Sequence, residues 1–427
     1  MANADFSKQS STQGPRGFDS GSYREAKRPD TEAVRLTPLQ QKLAGLEKAL
    51  DAVLSGTGEN SSLVCAVTAQ GTLRTGETAR LLQADSGALG VQLTISRPVQ
   101  RAVEAVAAST MTSGCILVLD TATAAVRASV SVPGYDPEHL ADSLQAENSP
   151  FLNRALQSYA VGSVFKPVLA AAALEAGLQP VFECTGAVVV DGQIFRCAGG
   201  VPHGQVDLAA ALEKSCNGYF IRLGQQLGAE SLLDAAKAFG FGQSLPLAEG
   251  FAAEAGQLPT PQELAQSGQL ANFSFGQGSL LAAPMQVAAM FNTIAADGVY
   301  RSPYVLQATL DETTGQPVET LSHPRGRRVI SAQNAALLRA MLVQVVQQGT
   351  AQDAAGLSGG AGGKTGTAQT GQFTPEGTER CNLWFAGFWP AEKPRYTIVV
   401  LQDGAVHTAY SGAAIFAQVC NALEAAG

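Results

Sequence analysis

Residues 159–177, YAVGSVFKPVLAAAALEAG, decide how this chain is interpreted. The stretch places Ser163 three residues before Lys166, and Pro167 follows the lysine directly. Proline is tolerated in a helix only within the first turn, because its missing N–H has no partner there in any case. The sequence therefore predicts a helix that begins close to Ser163 and stops at Gly177.

The predicted helix gives the serine and the lysine a joint role. Residues three apart lie on one helix face, so Lys166 can reach Ser163. Unpaired backbone N–H groups at a helix start suit a developing negative charge. At its usual pKa a lysine is neutral only once in about 2,500 molecules at pH 7. To act as a base it needs burial or a neighbouring cation, and the apolar residues at 164–165 and 168–169 favour burial.

Two more motifs occur once each in the chain. The glycine-rich segment GGAGGKTGTAQTG (359–371) contains Lys364, Thr365 and Gly366, and its glycines let a strand approach another backbone closely. The segment LEKSCNGYF (212–220) contains Ser215 and Asn217, on a helix predicted over 206–227. Lys364 is the candidate for the second cation.

Ser-x-x-Lys, Ser-x-Asn and Lys-Thr-Gly, in this order, resemble the signature of penicillin-binding proteins and serine β-lactamases. The wider context is similar to the transpeptidase domain of class B penicillin-binding proteins. The segments that carry this likeness are QLTISRPVQRAVE (92–104), NRAL (153–156), FGQGSLLAAPMQVA (275–288) and LWFAGFWP (383–390). The likeness covers about residues 90–427. One departure is Val161-Gly162-Ser163-Val164 where the family commonly has Pro-Gly-Ser-Thr, and it leaves both reacting groups in place.

The resemblance implies acyl transfer on peptidoglycan stem peptides that end in D-Ala-D-Ala. Ser163 would attack the penultimate D-Ala carbonyl while neutral Lys166 takes its proton. Backbone N–H groups of Ser163 and Thr367 would form the oxyanion hole. An amine from a neighbouring stem then accepts the acyl group and completes the crosslink. Penicillin would mimic the substrate and stall at the acyl-serine stage.

The other motif residues receive implied roles as well. Ser215 and Asn217 would pass the proton to the leaving amine and orient the peptide. Lys364 would lower the pKa of Lys166. Thr365 and Thr367 would bind the substrate carboxylate. Gly366, between them, would belong to the same substrate-binding segment.

The family also implies where the protein works and with what. The expected partners are stem peptides and β-lactam antibiotics, with a membrane glycosyltransferase of the SEDS type as a further candidate, and no cofactor is expected. The expected location is the extracytoplasmic face of the bacterial cytoplasmic membrane. The printed chain has no apolar run near the 18 residues that span a bilayer and no signal-peptide layout. We expect it to be soluble as written, with any anchor upstream or removed.

Composition and pattern, together with the family resemblance, indicate the domain organisation. A net charge of −8 argues against nucleic-acid binding, which needs a basic face. We expect a flexible polar tail over 1–36, a small N-terminal module over 37–90 and a transpeptidase domain over 91–427. The module would be a remnant of a larger pedestal domain.

The resemblance implies an α/β (α+β) fold of the serine β-lactamase/transpeptidase type, with an antiparallel sheet flanked by helices, a mostly helical subdomain and a small truncated N-terminal module. Two predicted strands at 113–120 and 124–132 lie far along the chain from two others at 382–390 and 395–404. The predicted helices between and after them are 206–227, 229–240, 283–296, 331–348 and 411–425. The sequence therefore predicts a sheet whose strands come from distant segments of the chain.

Two alternative functions stay open. A D,D-carboxypeptidase or β-lactamase would use water as the acceptor, but the nearest candidate for a water-activating Glu-x-x-Leu-Asn segment is ESLLD (230–234), which resembles an ordinary helix start. A β-lactam sensor or a catalytically silent cell-wall scaffold is the other alternative. The lifetime of the penicilloyl adduct would separate a transpeptidase from a β-lactamase.

The seven cysteines are too sparse for a disulfide scaffold. In CTGAVVVDGQIFRC (184–197), Asp191-Gly192 predicts a two-residue hairpin turn that puts Cys197 opposite Gly186. Cys184 would then lie at the edge of disulfide reach. A zinc site with His203 and Cys216 is disfavoured, because nothing in the sequence fixes tetrahedral geometry. We expect no metal, and structural roles for His203 and His407.

Overall fold

The computed structural model describes residues 23–26, 45–55, 62–66, 80–82, 88–136, 139–144, 146, 148–323 and 325–426. Of the tail predicted over 1–36, only Tyr23–Ala26 lies among them, and it is a strand. The helix predicted after residue 37 is described from residue 45 onward. No helix within these ranges combines the length and the apolar character that a membrane crossing requires.

The strands are β1 Tyr23–Ala26, β2 Ser62–Ala66, β3 Arg80–Leu82, β4 Leu89–Leu93, β5 Gly114–Asp120, β6 Val126–Val132, β7 Tyr159–Ala160, β8 Phe182–Cys184, β9 Ala187–Val190, β10 Gln193–Arg196, β11 Gly204–Val206, β12 Leu245–Ala248, β13 Phe251–Ala253, β14 Leu281–Ala282, β15 Val299–Tyr300, β16 Leu306–Asp311, β17 Pro317–Thr320, β18 Arg327–Arg328, β19 Gly362–Phe373, β20 Glu379–Trp389 and β21 Tyr396–Ala405. The helices are α1 Leu46–Ala49, α2 Asp51–Ser55, α3 Arg97–Thr110, α4 Leu140–Ser143, α5 Lys166–Glu175, α6 Leu208–Glu213, α7 Asn217–Leu227, α8 Ala229–Ala238, α9 Pro261–Leu264, α10 Ser267–Ser274, α11 Pro284–Ala295, α12 Ala332–Gln347 and α13 Gly412–Ala425. Short 3₁₀ turns occupy Gly162–Phe165, Ala198–Gly200 and Gln352–Ala354.

The chain forms two compact units. The smaller unit contains α2 and an antiparallel sheet in the order β1-β2-β3. The larger unit contains Val91–Leu310 and Pro317–Gly427, and it holds all three sequence motifs. The predicted domain division at residue 90 remains a prediction.

The centre of the larger unit is an antiparallel sheet in the order β19-β20-β21-β5-β6. Residues 115–119 of β5 are apolar and completely buried, so both faces of this strand are covered. Helices α3 and α13 pack together against the sheet, and α11 packs against β5, β20 and β21. The predicted pairing of early and late strands, with helices on both faces, is confirmed.

The predicted helix around Ser163 begins later than expected. Ser163 lies in the 3₁₀ turn Gly162–Phe165, and the α-helix α5 begins at Lys166. Gly162 adopts φ +64, a left-handed conformation that does not belong to a helix. The helix does end before Gly177, which has φ +67. The serine is therefore at the tip of a tight turn, and the lysine opens the helix.

Backbone contacts clamp this 3₁₀ turn from two sides. The N–H of Gly162 donates to the carbonyl of Gly276 at 2.8 Å. A Cβ on Gly162 would lie 2.5 Å from the carbonyl oxygen of Thr367, and a Cβ on Gly366 would lie 3.0 Å from the amide nitrogen of Val164. Only glycine at these two positions allows the turn and strand β19 to meet backbone to backbone.

The prediction of one continuous helix over 206–227 is wrong, because the helix is interrupted near its middle. The chain forms α6 and α7 with a break between them, where Ser215 adopts φ +53 and Cys216 is extended. The Cys216 sulfur accepts the N–H of Tyr219 and so caps α7. Helices α8, α11, α12 and α13 lie within two residues of their predicted bounds.

The clamp predicts a difference between two glycine-to-alanine substitutions. Gly162 and Gly177 have nearly the same φ, but nothing lies within 4 Å of a Cβ on Gly177. We expect Gly177→Ala to lower the free energy of unfolding by about 1 kcal/mol, the cost of a left-handed alanine. Gly162→Ala also displaces β19, so its loss should exceed about 3 kcal/mol. Urea unfolding followed by tryptophan fluorescence measures both, and equal losses would contradict the close approach of Gly162 to Thr367.

Candidate active site

The Ser-x-x-Lys and Ser-x-Asn motifs meet at the side chain of Lys166. This lysine is completely buried at the start of α5. Its Nζ lies 2.8 Å from the carbonyl oxygen of Ser215, 3.1 Å from Ser215 Oγ and 2.7 Å from Asn217 Oδ1. The ring of Phe220 lies 5.5 Å from the same nitrogen and closes off one side. Each motif therefore supplies part of one small polar centre inside an apolar shell.

Burial determines the protonation of this lysine. Desolvation lowers the pKa of Lys166 to about 7, because the charged form has lost its water. The thiols of Cys216 and Cys197 oppose the shift, since their negative form favours the ammonium. A large fraction of Lys166 is therefore a neutral amine at pH 7, as a general base must be.

The hydrogen-bond partners fix which way the neutral amine points. A neutral amine has two hydrogens and one lone pair. The Ser215 carbonyl oxygen and Asn217 Oδ1 can only accept, so they take the two hydrogens. The lone pair is then free to accept a proton from a hydroxyl, and Ser215 Oγ is already within reach. Among the described hydrogen bonds none joins Lys166 to Ser163 Oγ, although only one turn of the chain separates the two residues.

The Ser-x-Asn motif owes its position to the break between α6 and α7. Ser215 has the left-handed φ of +53, which directs both its carbonyl and its hydroxyl to one amine. Asn217 is the first residue of α7, and its Nδ2 donates to the carbonyl of Arg196 at 2.9 Å. The amide of Asn217 is thus held from both ends, by Arg196 on one side and Lys166 on the other.

Lys364 is the second buried lysine, as the sequence indicates. It is completely buried on β19, and its Nζ donates to the carbonyl of Thr365 at 3.1 Å. Burial lowers its pKa well below the usual value, and the nearby charge of Lys166 lowers it further. We predict from the sequence that Lys364 lowers the pKa of Lys166. Burial is the main cause of the lowered pKa at Lys166, and the effect of Lys364 on that pKa remains a prediction.

Thr365, Gly366 and Thr367 lie on the edge strand β19. Thr365 is half-buried and its Oγ1 lies 2.7 Å from Thr350 Oγ1, while Thr367 is exposed. Alternate residues of a strand share a face, so the two hydroxyls lie on the same side with Gly366 between them. The predicted oxyanion donors, the N–H groups of Ser163 and Thr367, belong to the two backbones that meet at Gly162 and Gly366. Their roles in catalysis remain predictions.

Sequence reasoning did not assign several residues that support the site. Gln277 Nε2 lies 3.5 Å from the Thr367 carbonyl, and Gly276 holds the Ser163 turn. Thr350 and Arg196 contact Thr365 and Asn217. The Gly-x-Gly pattern at 276–278, directly after a helix, is a signal that points to close backbone approach. Neither Thr350 nor Arg196 has a comparable signal in the sequence.

The cysteine hairpin has the predicted register, and it lies next to the Ser-x-Asn motif. The Cys197 N–H donates to the Gly186 carbonyl, and Asp191 and Gly192 form the two-residue turn. Cys184 and Cys197 are free thiols with their sulfurs 3.7 Å apart, so the disulfide is absent from this pair. His203 and Cys216 join the same cluster.

Two other residues considered from the sequence lie at the surface. Glu230 is exposed in the first turn of α8, which agrees with an ordinary helix start. His407 is exposed as well. Neither makes a described hydrogen bond to the polar centre around Lys166.

Residues 114–423 match the family described as penicillin binding protein transpeptidase domain. The chain is 32% identical over 413 residues to peptidoglycan D,D-transpeptidase PbpA of Mycolicibacterium smegmatis, which covers 90% of this chain and 79% of the relative. It is 31% identical over 296 residues to stage V sporulation protein D of Bacillus subtilis, covering 68% of this chain and 45% of that protein.

Solved structures show the same fold. The D,D-transpeptidase domain of a peptidoglycan glycosyltransferase from Eggerthella lenta is similar with a TM-score of 0.74 and 26% identity, over 90% of this chain and 88% of that one. Penicillin-binding protein A from M. tuberculosis, as its penicillin G acyl-enzyme complex, is similar with a TM-score of 0.68 and 28% identity, over 79% and 80%. The chain described above therefore belongs to the penicillin-binding protein transpeptidase family, and its relatives PbpA and stage V sporulation protein D are of class B.

Proposed function

We propose that this protein is a peptidoglycan D,D-transpeptidase that works through an acyl-serine on Ser163. The observation that carries the proposal is the buried Lys166, with its pKa lowered to about 7 and two of its hydrogen-bond positions taken by pure acceptors. Lys166 is neutral, has a free lone pair and lies three residues from Ser163. The role that fits these properties is that of the base which takes the proton of Ser163. The relatives named peptidoglycan D,D-transpeptidase support the same activity.

The acylation step begins with the hydroxyl of Ser163. Its oxygen attacks the carbonyl carbon of the penultimate D-Ala, and its proton passes to the lone pair of Lys166. The carbonyl oxygen becomes an oxyanion that accepts hydrogen bonds from the backbone N–H groups of Ser163 and Thr367. Catalytic hydrogen bonds often tighten only when substrate is bound, so the Ser163 hydroxyl would turn toward Lys166 at that stage.

Collapse of the tetrahedral intermediate releases the terminal D-Ala. The leaving amine needs a proton, and Lys166 is hydrogen-bonded to Ser215 Oγ at 3.1 Å. Ser215 therefore donates its proton to the amine and recovers one from Lys166. Asn217 holds Lys166 in place during this exchange through the contact at 2.7 Å. The amine of a second stem peptide then attacks the acyl-serine by the reverse route and forms the crosslink.

Strand β19 binds the substrate. The hydroxyls of Thr365 and Thr367 lie on one face of this strand and would bind the terminal carboxylate, while Gly366 keeps the strand close to Ser163. Lys364 is buried beneath this face. Its positive charge would attract the carboxylate, and its hydrogen bonds hold Thr365 in position. β-Lactams place a carboxylate and a strained amide in the same relation, so they would acylate Ser163 and stay there.

The substrate implies the location and the partners. Stem peptides lie outside the cytoplasmic membrane, so the protein acts at the extracytoplasmic face. New glycan strands must be supplied to it, and a membrane glycosyltransferase of the SEDS type is the partner that fits this requirement. Both statements follow from the proposed reaction.

A first prediction concerns the nucleophile. Incubation with benzylpenicillin should raise the intact mass of the protein by one penicilloyl group that persists for hours, and Ser163→Ala should show no increase. Ser158→Ala, five residues away, is the matched control and should behave like the wild type. A wild type that hydrolyses the drug without a lasting adduct would identify a β-lactamase. A wild type that neither binds nor hydrolyses it would identify a silent scaffold.

A second prediction concerns pH. Because the neutral form of Lys166 is the base, the rate of acylation should rise with pH and level off above about 7. Below that value it should fall about tenfold for each pH unit. The groups that face Lys166 are Lys364 and the thiols of Cys197 and Cys216, and saturating nitrocefin keeps the charge of Lys364 from affecting the profile through carboxylate binding. Stopped-flow acylation by nitrocefin between pH 5 and 9 gives the profile, and a rate that falls as pH rises through 7 would contradict the assignment.

A further inference from the structure

Four potential metal ligands converge beside the Ser-x-Asn motif. The sulfurs of Cys184, Cys197 and Cys216 and the imidazole of His203 all have their ligand atoms within 4.8 Å of one another. The Cys184 and Cys197 sulfurs are 3.7 Å apart, and those of Cys197 and Cys216 are 3.8 Å apart. His203 Nδ1 lies 3.4 Å from Cys184 Sγ. All three cysteines are buried, and His203 is half-buried.

Three of the six separations among these ligand atoms are those of a tetrahedral zinc site, and the other three are at most 4.8 Å. With Zn–S bonds near 2.3 Å and Zn–N bonds near 2.0 Å, tetrahedral angles place two sulfurs about 3.8 Å apart and a sulfur and a nitrogen about 3.5 Å apart. The three distances above fall within about 0.2 Å of these values. Three cysteines and one histidine are also a usual ligand set for structural zinc. We propose that Cys184, Cys197, His203 and Cys216 bind one Zn²⁺ ion.

A disulfide accounts for the cluster less well. A Cys184–Cys197 bond would use two of the four groups and leave the thiol of Cys216 and the imidazole of His203 without a function. Plain packing of thiols with one hydrogen bond between Cys184 and His203 explains each contact, but it gives no reason for all four ligand atoms to converge within 4.8 Å. A metal ion would be bound by all four side chains.

The backbone around the cluster supports charged sulfurs. The Tyr219 N–H donates to Cys216 Sγ at 3.4 Å, and the Gly218 N–H donates to the sulfur of Cys197. Zinc binds the thiolate and not the thiol, and N–H donors around the ligands stabilise that negative charge. The first turn of α7 therefore supplies both a ligand and the donors that a metal site needs.

Glycines bring the ligand segments together. Cys184 ends β8, Cys197 follows β10, His203 precedes β11, and Cys216 caps α7. Gly186 has φ +88, and a Cβ there would lie 2.2 Å from the carbonyl oxygen of Gly200. No other residue type permits this approach of the two loops that carry the ligands.

The ion would position the second catalytic motif. Cys216 is the middle residue of Ser-x-Asn, and Cys197 directly follows Arg196, whose carbonyl accepts the hydrogen bond from Asn217. A zinc ion bound to Cys216 and Cys197 would therefore link the segment that donates this hydrogen bond to the segment that accepts it. Ser215 has a left-handed φ that is unfavourable without support from its surroundings. This positioning role rests on the proposed function, whereas zinc binding itself does not.

Metal content tests the proposal directly. Protein purified without chelators should contain one zinc per chain by elemental mass spectrometry. Exchange for Co²⁺ should give the visible and near-ultraviolet bands of a tetrahedral thiolate site. Cys197→Ser and His203→Asn should lose the zinc, while the matched controls Cys381→Ser and His407→Asn, outside the cluster, should keep it. Circular dichroism checks that each variant is folded.

A second measurement covers variants that fail to fold. Chelation of the folded wild type should release one zinc and slow benzylpenicillin acylation at least tenfold, and added zinc should restore the rate. Wild type that takes up neither Zn²⁺ nor Co²⁺ would overturn the proposal, as would an unreduced mass that shows a Cys184–Cys197 disulfide. Zinc held equally by Cys197→Ser would also overturn it. A chain that binds zinc through these ligands but is never acylated would refute only the proposed function.

Discussion

The hydrogen bonds between Lys166 and the Ser-x-Asn motif are the contacts on which the site depends. They join the helix that starts after the nucleophile to a break between two other helices, α6 and α7. A lysine buried without partners would destabilise the fold, and one paired with a carboxylate would stay charged. Two neutral acceptors and an apolar shell satisfy the amine and still let it lose its proton. The reactivity and the stability of the site thus have the same origin.

The central sheet gives this contact its surroundings. Its edge strand β19 packs against the turn of Ser163, and the neighbouring strand β20 directs Trp384 to the carbonyl of Ala160 at 2.9 Å. The segment before the nucleophile also pairs with β14. The nucleophile is therefore fixed by backbone contacts on both sides. In the proposed reaction only side-chain hydroxyls and protons need to move.

Much of this organisation could be predicted from the sequence, and the reasons are local. Long apolar runs such as β5 and β21 predict buried strands, and three unique motifs in order predict which helices and strands bear the chemistry. The Asp191-Gly192 turn fixed the register of its hairpin, because a two-residue loop allows only one. In each case the information lies within a few residues of the feature.

The parts that could not be predicted depend on contacts between distant segments. Nothing near Ser215 announces its left-handed φ, which its tertiary contacts with Lys166 and α7 impose. The closeness of the two lysines could be foreseen, but the complete burial of both side chains depends on the packing of distant segments. The sequence suggests His203 and Cys216 as zinc ligands, but their geometry depends on the path of two glycine-rich loops, so the sequence alone disfavours the site that the structure supports.

The strand order of the central sheet has a consequence for how the protein is made. Strand β5 pairs with β6 on one side and with β21 on the other, and β21 is synthesised almost at the end of the chain. Until residues 396–405 leave the ribosome, β5 presents an apolar strand with one unpaired edge, a state that is prone to aggregation. Pairings between segments so far apart also fold slowly. A nascent chain of this kind needs protection by chaperones until its last strand is available.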